Sequence, residues 1–468
     1  MKVYQMAEES ALRANKTALV LDELTFDSLR LVQDAGRLGD ALRQHVNPAP
    51  PHAGTVFIYG ASVSFQLLCF LAAQKHGFVP VILHPSMPES RIGPFMRDSH
   101  ACALLTEQPL SEGRGIALDC PDGSFYLYGI PPDGTRTAGI SAPGTRRIQE
   151  DGIFGVLTSG STGFPKILLR TCCSWADFFA EQNAVFQIDR SSVVYFHGSL
   201  SFTGNLNMCL AVLSAGGSLI STTGLYVRGA LRFMEKHHAN GIYLVPSKLQ
   251  PLAKAAGENP DIRCVVAGSQ RMDEALVLGL RRVFPSAEIL LYYGASELNY
   301  VSCISAEDLL ARPGSVGRPF RGVSVTAEDG AIRVDTPFGA EGLAMPFQTG
   351  DAGHFDRDGY LYFDGRLDET LNMGGVKVSL PYVREEINRL AEVEDCAVIP
   401  LPLRSGKVAA AAFIVLKDAY KDTSADGIRA KLCQRLMPAE IPQKITFRDS
   451  LPRNESGKID RAALLGEL

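Results

Sequence analysis

The chain has 468 residues, too many for one compact core, and its length points to about three packed units. Hydrophobic residues make up 46% and charged residues 21%, both ordinary for a soluble globular protein. A net charge of −5 gives no support to a nucleic-acid protein held by a global basic surface.

The N-terminal stretch MKVYQMAEESALRANKTALV lacks the apolar core of a signal peptide, and no run approaches about 18 apolar residues. A cytoplasmic protein with no membrane span is therefore expected. The ten cysteines include no C-x-x-C pair and no His/Cys cluster of zinc spacing, so reduced thiols are expected, with Cys172 and Cys173 as helix packing residues.

Residues 53–84, AGTVFIYGASVSFQLLCFLAAQKHGFVPVILH, read as strand, helix, strand. Such a unit implies a parallel sheet. Between about 127 and 150 the composition shifts to Pro, Gly and Thr, which reads as an exposed connection. It leads into TSGSTGFPK, beginning at Thr158, where Gly160 and Gly163 let backbone N–H groups approach an anion closely and the hydroxyls and Lys166 can contact it. The stretch is not a Walker A loop, because Pro165 precedes Lys166 and Ile167 follows it, and it contains no G-x-G-x-x-G fingerprint.

Further alternation follows in SVVYF, the helix-like NLNMCLAVLSA, SLIST, GIYLVP, RCVVAG and EILLYYG. Around 314–363 short strands with tight turns suit a small barrel or sandwich. The last hundred or so residues regain helices, at 382–391 and 426–436, beside strands such as CAVIPL and AAAAFIVL. The predicted fold is α/β: a large N-terminal domain of two α/β subdomains plus a small β-barrel, then a small mobile α+β C-terminal domain. The boundary is expected between 1–367 and 368–468.

Downstream of the glycine-rich loop stand YYGASE at 292–297, TGD at 349–351, GRLDETLNMGGVKVS at 365–379 and PRNESGKIDR at 452–461. In this order, together with GSVGRP at 314–319, they resemble the adenylate-forming superfamily of acyl- and aryl-CoA synthetases, luciferases and peptide-synthetase adenylation domains. The resemblance spans nearly the whole chain. It implies ATP and Mg²⁺ as cofactors, a carboxylic acid as substrate and an acyl-AMP intermediate. The acyl acceptor it implies is CoA or the phosphopantetheine of an acyl carrier protein, with no nucleic-acid partner. A non-catalytic nucleotide-binding regulator and a luciferase-type oxygenase are the other readings of the same fold. Retention of Lys166, Glu297, Asp351 and Lys458 weighs against the first, and nothing in the sequence points to the second.

Carried over residue by residue, the resemblance gives Thr158, Ser159, Gly160, Ser161, Thr162, Gly163 and Lys166 to the β- and γ-phosphates. Tyr293 and Gly294 would lie at the adenine, Ser296 would meet the α-phosphate in place of the usual threonine, and Glu297 would bind Mg²⁺. Gly268 falls where relatives run backbone beside the adenine, although Ser269, Gln270 and Arg271 replace the usual residues after it. Asp351 would take the ribose hydroxyls and Arg366 the ribose or phosphate. Asp368 holds the hinge position, and Gly374 and Gly375 the pantetheine tunnel, with Asn372 where many relatives have lysine. Lys458 would bridge the attacking carboxylate and the α-phosphate. For the acyl pocket the candidates are His197, Phe202, Thr203 and Tyr292. Spacing to Gly216 places Ser201 or Phe202 nearer than His197 to the family's pocket histidine. Amino-acid-activating relatives place an Asp after an aromatic here, and Phe202-Thr203 supplies none. An unpaired buried ammonium would be costly, so an α-amino acid is disfavoured. Tyr292 is either a core residue or a pocket wall that shortens the pocket.

Lys458→Ala should lower adenylate formation by ~10²–10³-fold, as for loss of one preorganised transition-state contact. Thioester formation from synthetic acyl-AMP should survive, and equal loss in both assays would remove Lys458 from this role.

Overall fold

The computed structural model describes residues 3–13, 16–22, 24–46, 54–111, 115–120, 123–129, 152–158, 165–255, 257–367, 370–373, 376–403, 408–436, 438–453 and 459–466. The chain forms two compact units, one of residues 1–324 with 335–345 and one of residues 325–334 with 346–468.

The first unit holds two sheets. In one, the strand order is Ile116–Cys120, Gly123–Gly129, Ala103–Thr106, Thr55–Tyr59, Val79–Ile82, Ile153–Thr158 and Lys166–Thr171. Thr55–Tyr59 pairs in parallel with both Val79–Ile82 and Ala103–Thr106, as the strand–helix–strand pattern at 53–84 requires. The intervening helix, Val63–Lys75, is capped by Ser62 and buried from Val63 to Gln74, without a solvent face, and its buried Gln66 and Gln74 donate to the carbonyls of Gly60 and Phe78. It crosses the helix Ser28–His45 closely: a Cβ on Gly39 would stand 2.7 Å from the Ala72 carbonyl oxygen.

The second sheet of this unit runs Ser315–Pro319, Asn299–Ser305, Glu288–Ala295, Cys264–Gly268, Gly241–Tyr243, Val193–Phe196, Ser218–Ser221, Thr17–Leu21 and Leu24–Asp27. From Thr17–Leu21 to Glu288–Ala295 every pairing is parallel. Central strands such as Cys264–Gly268, CVVAG, are buried at every residue, which is why they read as unbroken apolar runs and do not alternate.

In the second unit, Ala331–Asp335, Phe347–Phe355 and Leu361–Arg366 form an antiparallel ladder. Its register shifts at Ala352/Gly353, and a Cβ on Gly353 would lie 2.3 Å from the Tyr362 carbonyl oxygen, so the bulge needs glycine. A separate sheet joins Val393–Pro402, Val408–Leu416 and Lys444–Arg448. Along Val408–Leu416 the side chains alternate between two cores: Ala410, Ala412 and Ile414 pack with Val383, Ile387, Ile428 and Leu432, while Ala411, Phe413 and Val415 pack with Leu451 and Leu464.

The two helices expected in this unit are Leu380–Asn388 and Ala425–Leu432, both starting earlier than expected, and a short helix Arg461–Leu465 follows. Ser379 and Ser424 accept hydrogen bonds from Tyr382 N and Gly427 N, and these caps set the starts. Mixed α/β architecture with a large N-terminal and a small C-terminal part agrees with the sequence. Among the described residues no helix is long and apolar enough to cross a membrane. Cys69, Cys102, Cys172, Cys173, Cys209, Cys264, Cys303, Cys396 and Cys433 are free thiols.

Candidate functional site

Parallel α/β sheets bind ligands beyond the carboxyl ends of their strands. Several predicted residues of the first unit gather there. His197 follows Val193–Phe196, Gly268 ends its strand, and Glu288–Ala295 carries Tyr292, Tyr293 and Gly294 to a turn that returns as Asn299–Ser305. That hairpin is irregular. Its register shifts between Tyr293 and Gly294, Asn299 takes φ 79°, and Leu298 N donates to the Ala295 carbonyl at 3.0 Å. The bulge and tight turn put Ser296 and Glu297 at the tip.

The tip is held from several sides. Ser296 Oγ and Thr203 Oγ1 share a hydrogen bond of 2.9 Å, which joins the predicted α-phosphate hydroxyl to a predicted acyl-pocket residue. The Glu297 carbonyl accepts from Ala340 N at 2.7 Å. Its half-buried carboxylate carries no hydrogen bond among the described residues. A hard carboxylate oxygen beside a hydroxyl fits Mg²⁺, which is bound by one or two carboxylates, substrate phosphates and water.

Tyr292 turns away from solvent, only 9% exposed. Its hydroxyl bonds that of Tyr243 at 2.6 Å, the two rings lie parallel with centroids 6.1 Å apart, and Tyr300 packs edge-on at 4.5 Å. Burial pushes the hydroxyls of Tyr243, Tyr292 and Tyr300 up from their ordinary pKa, so they serve as neutral donors and acceptors. Two glycines make room for this group. A Cβ on Gly268 would meet the Tyr292 ring at 2.2 Å, and one on Gly204 would meet the Tyr243 hydroxyl at 2.3 Å. Gly268 thus has a packing role that its motif position did not announce. On the helix Thr203–Ser214, Asn207 Nδ2 donates to Asn299 Oδ1 at 3.3 Å, next to this aromatic group.

His197 is fixed by backbone. Its Nδ1 lies 3.0 Å from the Thr222 carbonyl, and its own carbonyl accepts from Lys248 Nζ at 3.0 Å. Burial, and then the charge of Lys248, lowers the imidazole pKa. Phe202 packs edge-on against His84 with centroids 5.2 Å apart. In the glycine-rich segment, Thr158 and Lys166 are paired across the antiparallel hairpin of Ile153–Thr158 and Lys166–Thr171. Ser159, Gly160, Ser161, Thr162 and Gly163 lie outside the described residues.

In the second unit, Asp351 and Arg366 face each other in register, and Arg366 Nη1 donates to Asp351 Oδ1 at 2.9 Å. Asp351 N also donates to Thr349 Oγ1 at 3.0 Å, so the nearly buried carboxylate is aimed by its own strand. Asp368, Gly374, Gly375 and Lys458 lie outside the described residues. In the described residues on either side of Lys458, Arg453 bridges to Ile459 and pairs with Asp395, Asp460 N donates to the Pro452 carbonyl, and Leu464 is fully buried.

Sequence reasoning missed Arg170, Tyr243 and Tyr300. Arg170 is wholly buried, and its Nη2 and Nε donate to the Ser296 carbonyl at 2.7 and 3.2 Å. The available signal was an arginine inside the apolar strand KILLRT, where a charged residue needs a reason.

Residues 6–343 match the description AMP-binding enzyme, and residues 385–458 match the AMP-binding enzyme C-terminal domain. The chain belongs to the AMP-binding enzyme family. This places it in the adenylate-forming superfamily. An uncharacterized acyl–CoA ligase, YhfT, of Bacillus subtilis is 29% identical over 324 residues, covering 65% of this chain and 66% of that protein. One of the linear gramicidin synthase proteins of Brevibacillus parabrevis is 23% identical over 85% of this chain, which spans 8% of that much longer protein. Among solved structures, the O-succinylbenzoate coenzyme A synthetase MenE of Bacillus subtilis in complex with AMP superposes with a TM-score of 0.80 at 19% identity, covering 99% of this chain and 98% of that one. ATP-bound MatB of Rhodopseudomonas palustris gives 0.80 at 21% identity, covering 100% and 99%. At these identities the two structures establish the fold of this AMP-binding enzyme.

If Asp351 takes the ribose hydroxyls, Asp351→Ala should raise the KM for ATP in pyrophosphate exchange roughly tenfold or more, the scale of a hydrogen bond to a charged group. An unchanged KM would assign Asp351 to the Arg366 pair alone.

Proposed function

We propose that the protein is an ATP- and Mg²⁺-dependent acid–thiol ligase of the cytoplasm. It activates a carboxylic acid as acyl-AMP and transfers the acyl group to a thiol, most readily that of CoA. Attack of one anion on the α-phosphate of another demands that charge be neutralised and both groups held close. Family membership together with the pairing of Ser296 Oγ and Thr203 Oγ1, 2.9 Å apart, carries this reading, because it sets the phosphate-side hydroxyl beside the proposed acid pocket.

In this account Thr158, Lys166 and the intervening residues hold the β- and γ-phosphates, and Ser296 meets the α-phosphate. Glu297 holds Mg²⁺, which would neutralise phosphate charge when bound. Tyr293, Gly294 and Gly268 accompany the adenine, Asp351 and Arg366 the ribose, and Lys458 the reacting oxygens. Asp368 is the pivot between half-reactions, after which Gly374 and Gly375 line the path of the pantetheine. His197, Phe202, Thr203 and Tyr292 border the acid.

An aryl or short-to-medium-chain acid is the proposed substrate. The buried Tyr243–Tyr292–Tyr300 group under Gly204 supports a short pocket floor. Thr203, where a carboxylate would serve an ammonium, supports an acid without an α-amino group. Delivery to a carrier-protein phosphopantetheine is the second reading, favoured by the likeness to a linear gramicidin synthase protein over 85% of the chain.

Pyrophosphate exchange measured with benzoate, octanoate, palmitate and an α-amino acid tests the substrate class, followed by CoA and a phosphopantetheinylated carrier protein as acceptors. Benzoate or octanoate should be best, and Tyr292→Gly should extend the accepted chain length. Preference of the unmodified enzyme for palmitate or the amino acid would overturn this reading of the pocket.

A further inference from the structure

We infer that Arg170 is a positioning residue for the nucleotide and metal site, fixing the Ser296–Glu297 turn from behind through its guanidinium. The inference rests on the nucleotide half of the proposed function and is independent of which acid is activated.

Period-two alternation places Lys166, Leu168 and Arg170 on one face of the strand that leaves the glycine-rich segment. Arg170 reaches from that strand into the neighbouring sheet's hairpin. Besides its two bonds to the Ser296 carbonyl, it donates to the Phe338 carbonyl at 3.0 Å and the Ser174 hydroxyl at 3.3 Å, with its guanidinium 5.5 Å from the Trp175 ring. The segment it grips at Phe338 is tied to the same neighbours, since Ala340 N donates to the Glu297 carbonyl and Glu341 N to the Leu169 carbonyl. One planar fork therefore locks three segments: the strand after the phosphate loop, the turn bearing Ser296 and Glu297, and 338–341.

Burying a charge is costly, and for stability alone an apolar residue of similar volume would serve as well or better. Among the described residues no carboxylate lies within ion-pair reach of Arg170; its direct acceptors are neutral, and Glu297 and Glu341 act on it only through their field. Burial lowers its pKa to about 9, which leaves it protonated at neutral pH. A cation without a bonded anion adds to the positive field behind Glu297, where the triphosphate and its metal would bring negative charge. That use accounts for a buried guanidinium that packing does not require. Lysine cannot replace it, because an ammonium lacks the planar fork that reaches two carbonyls at once.

Calorimetric titration of Mg·ATP and, separately, of AMP into the unmodified protein, Arg170→Lys and Arg170→Met tests this without any acid present. Melting curves establish that each variant is folded, and Arg170→Lys decides alone if Arg170→Met is not. Arg170→Lys should weaken Mg·ATP binding roughly tenfold, the scale of one charge-assisted hydrogen bond, and AMP binding by a clearly smaller factor, because AMP keeps the α-phosphate that meets Ser296 but brings no metal to Glu297. The Mg²⁺ concentration giving half-maximal pyrophosphate exchange should rise in step. Unchanged Mg·ATP affinity, or parallel loss of Mg·ATP and AMP affinity, would overturn the inference. Failure of the unmodified protein to bind Mg·ATP would overturn the nucleotide reading and this inference with it. Binding without activation of any acid would overturn only the substrate reading and leave Arg170 in its role.

Discussion

Arg170 donates to the carbonyls of Ser296 and Phe338 from a position with no solvent exposure, so the first unit's two sheets meet through a charge and not only through apolar packing. The consequence is local precision. A β-bulge at Tyr293/Gly294 and a tight turn would otherwise leave Ser296 and Glu297 free to shift, and the guanidinium removes that freedom at the peptide joining them. Thr203 completes the restraint from the other side by bonding the Ser296 hydroxyl. Preorganised donors and acceptors matter most where charge develops, because no energy is then spent reorganising them during reaction.

The same turn separates two kinds of surroundings. On one side stand the hydroxyls of Ser296 and Thr203 and the half-buried carboxylate of Glu297, groups suited to phosphate and a hard cation. Behind it lie three buried tyrosines whose hydroxyls burial keeps neutral, pressed against two glycines that have no room for a Cβ. Tyr292 and Tyr293 are adjacent on one strand and point to opposite faces, as strand pleating requires. Adjacent residues thereby serve opposite sides: Tyr292 closes the interior, and Tyr293 remains half-buried towards the tip.

Local chemistry was legible in the sequence. The strand–helix–strand unit at 53–84, the buried parallel strands and the ordered motifs from Thr158 to Lys458 all depend on short-range pattern, and family membership agrees with them. Contacts across sequence were not legible. Nothing near Arg170 in the chain names Ser296 as its partner, 126 residues away, nor does GIYLVP announce that Tyr243 will meet Tyr292. Gly268 and Gly204 read as a motif glycine and an unremarked one, yet both are required by rings from distant strands. The helices begin at Leu380 and Ala425, ahead of the expected 382 and 426, and their serine caps, Ser379 and Ser424, look like ordinary loop residues until the N–H groups they accept from are in place.

Adenylate chemistry is the centre of this account, and isotope transfer probes it without reference to rate. The preferred acid, labelled with ¹⁸O in its carboxylate, is turned over with ATP, Mg²⁺ and thiol, and the nucleotide and phosphate products are analysed by mass. Attack of the carboxylate on the α-phosphate predicts a labelled oxygen in AMP and none in pyrophosphate. Label appearing in inorganic phosphate, with ADP as the nucleotide product, would contradict it.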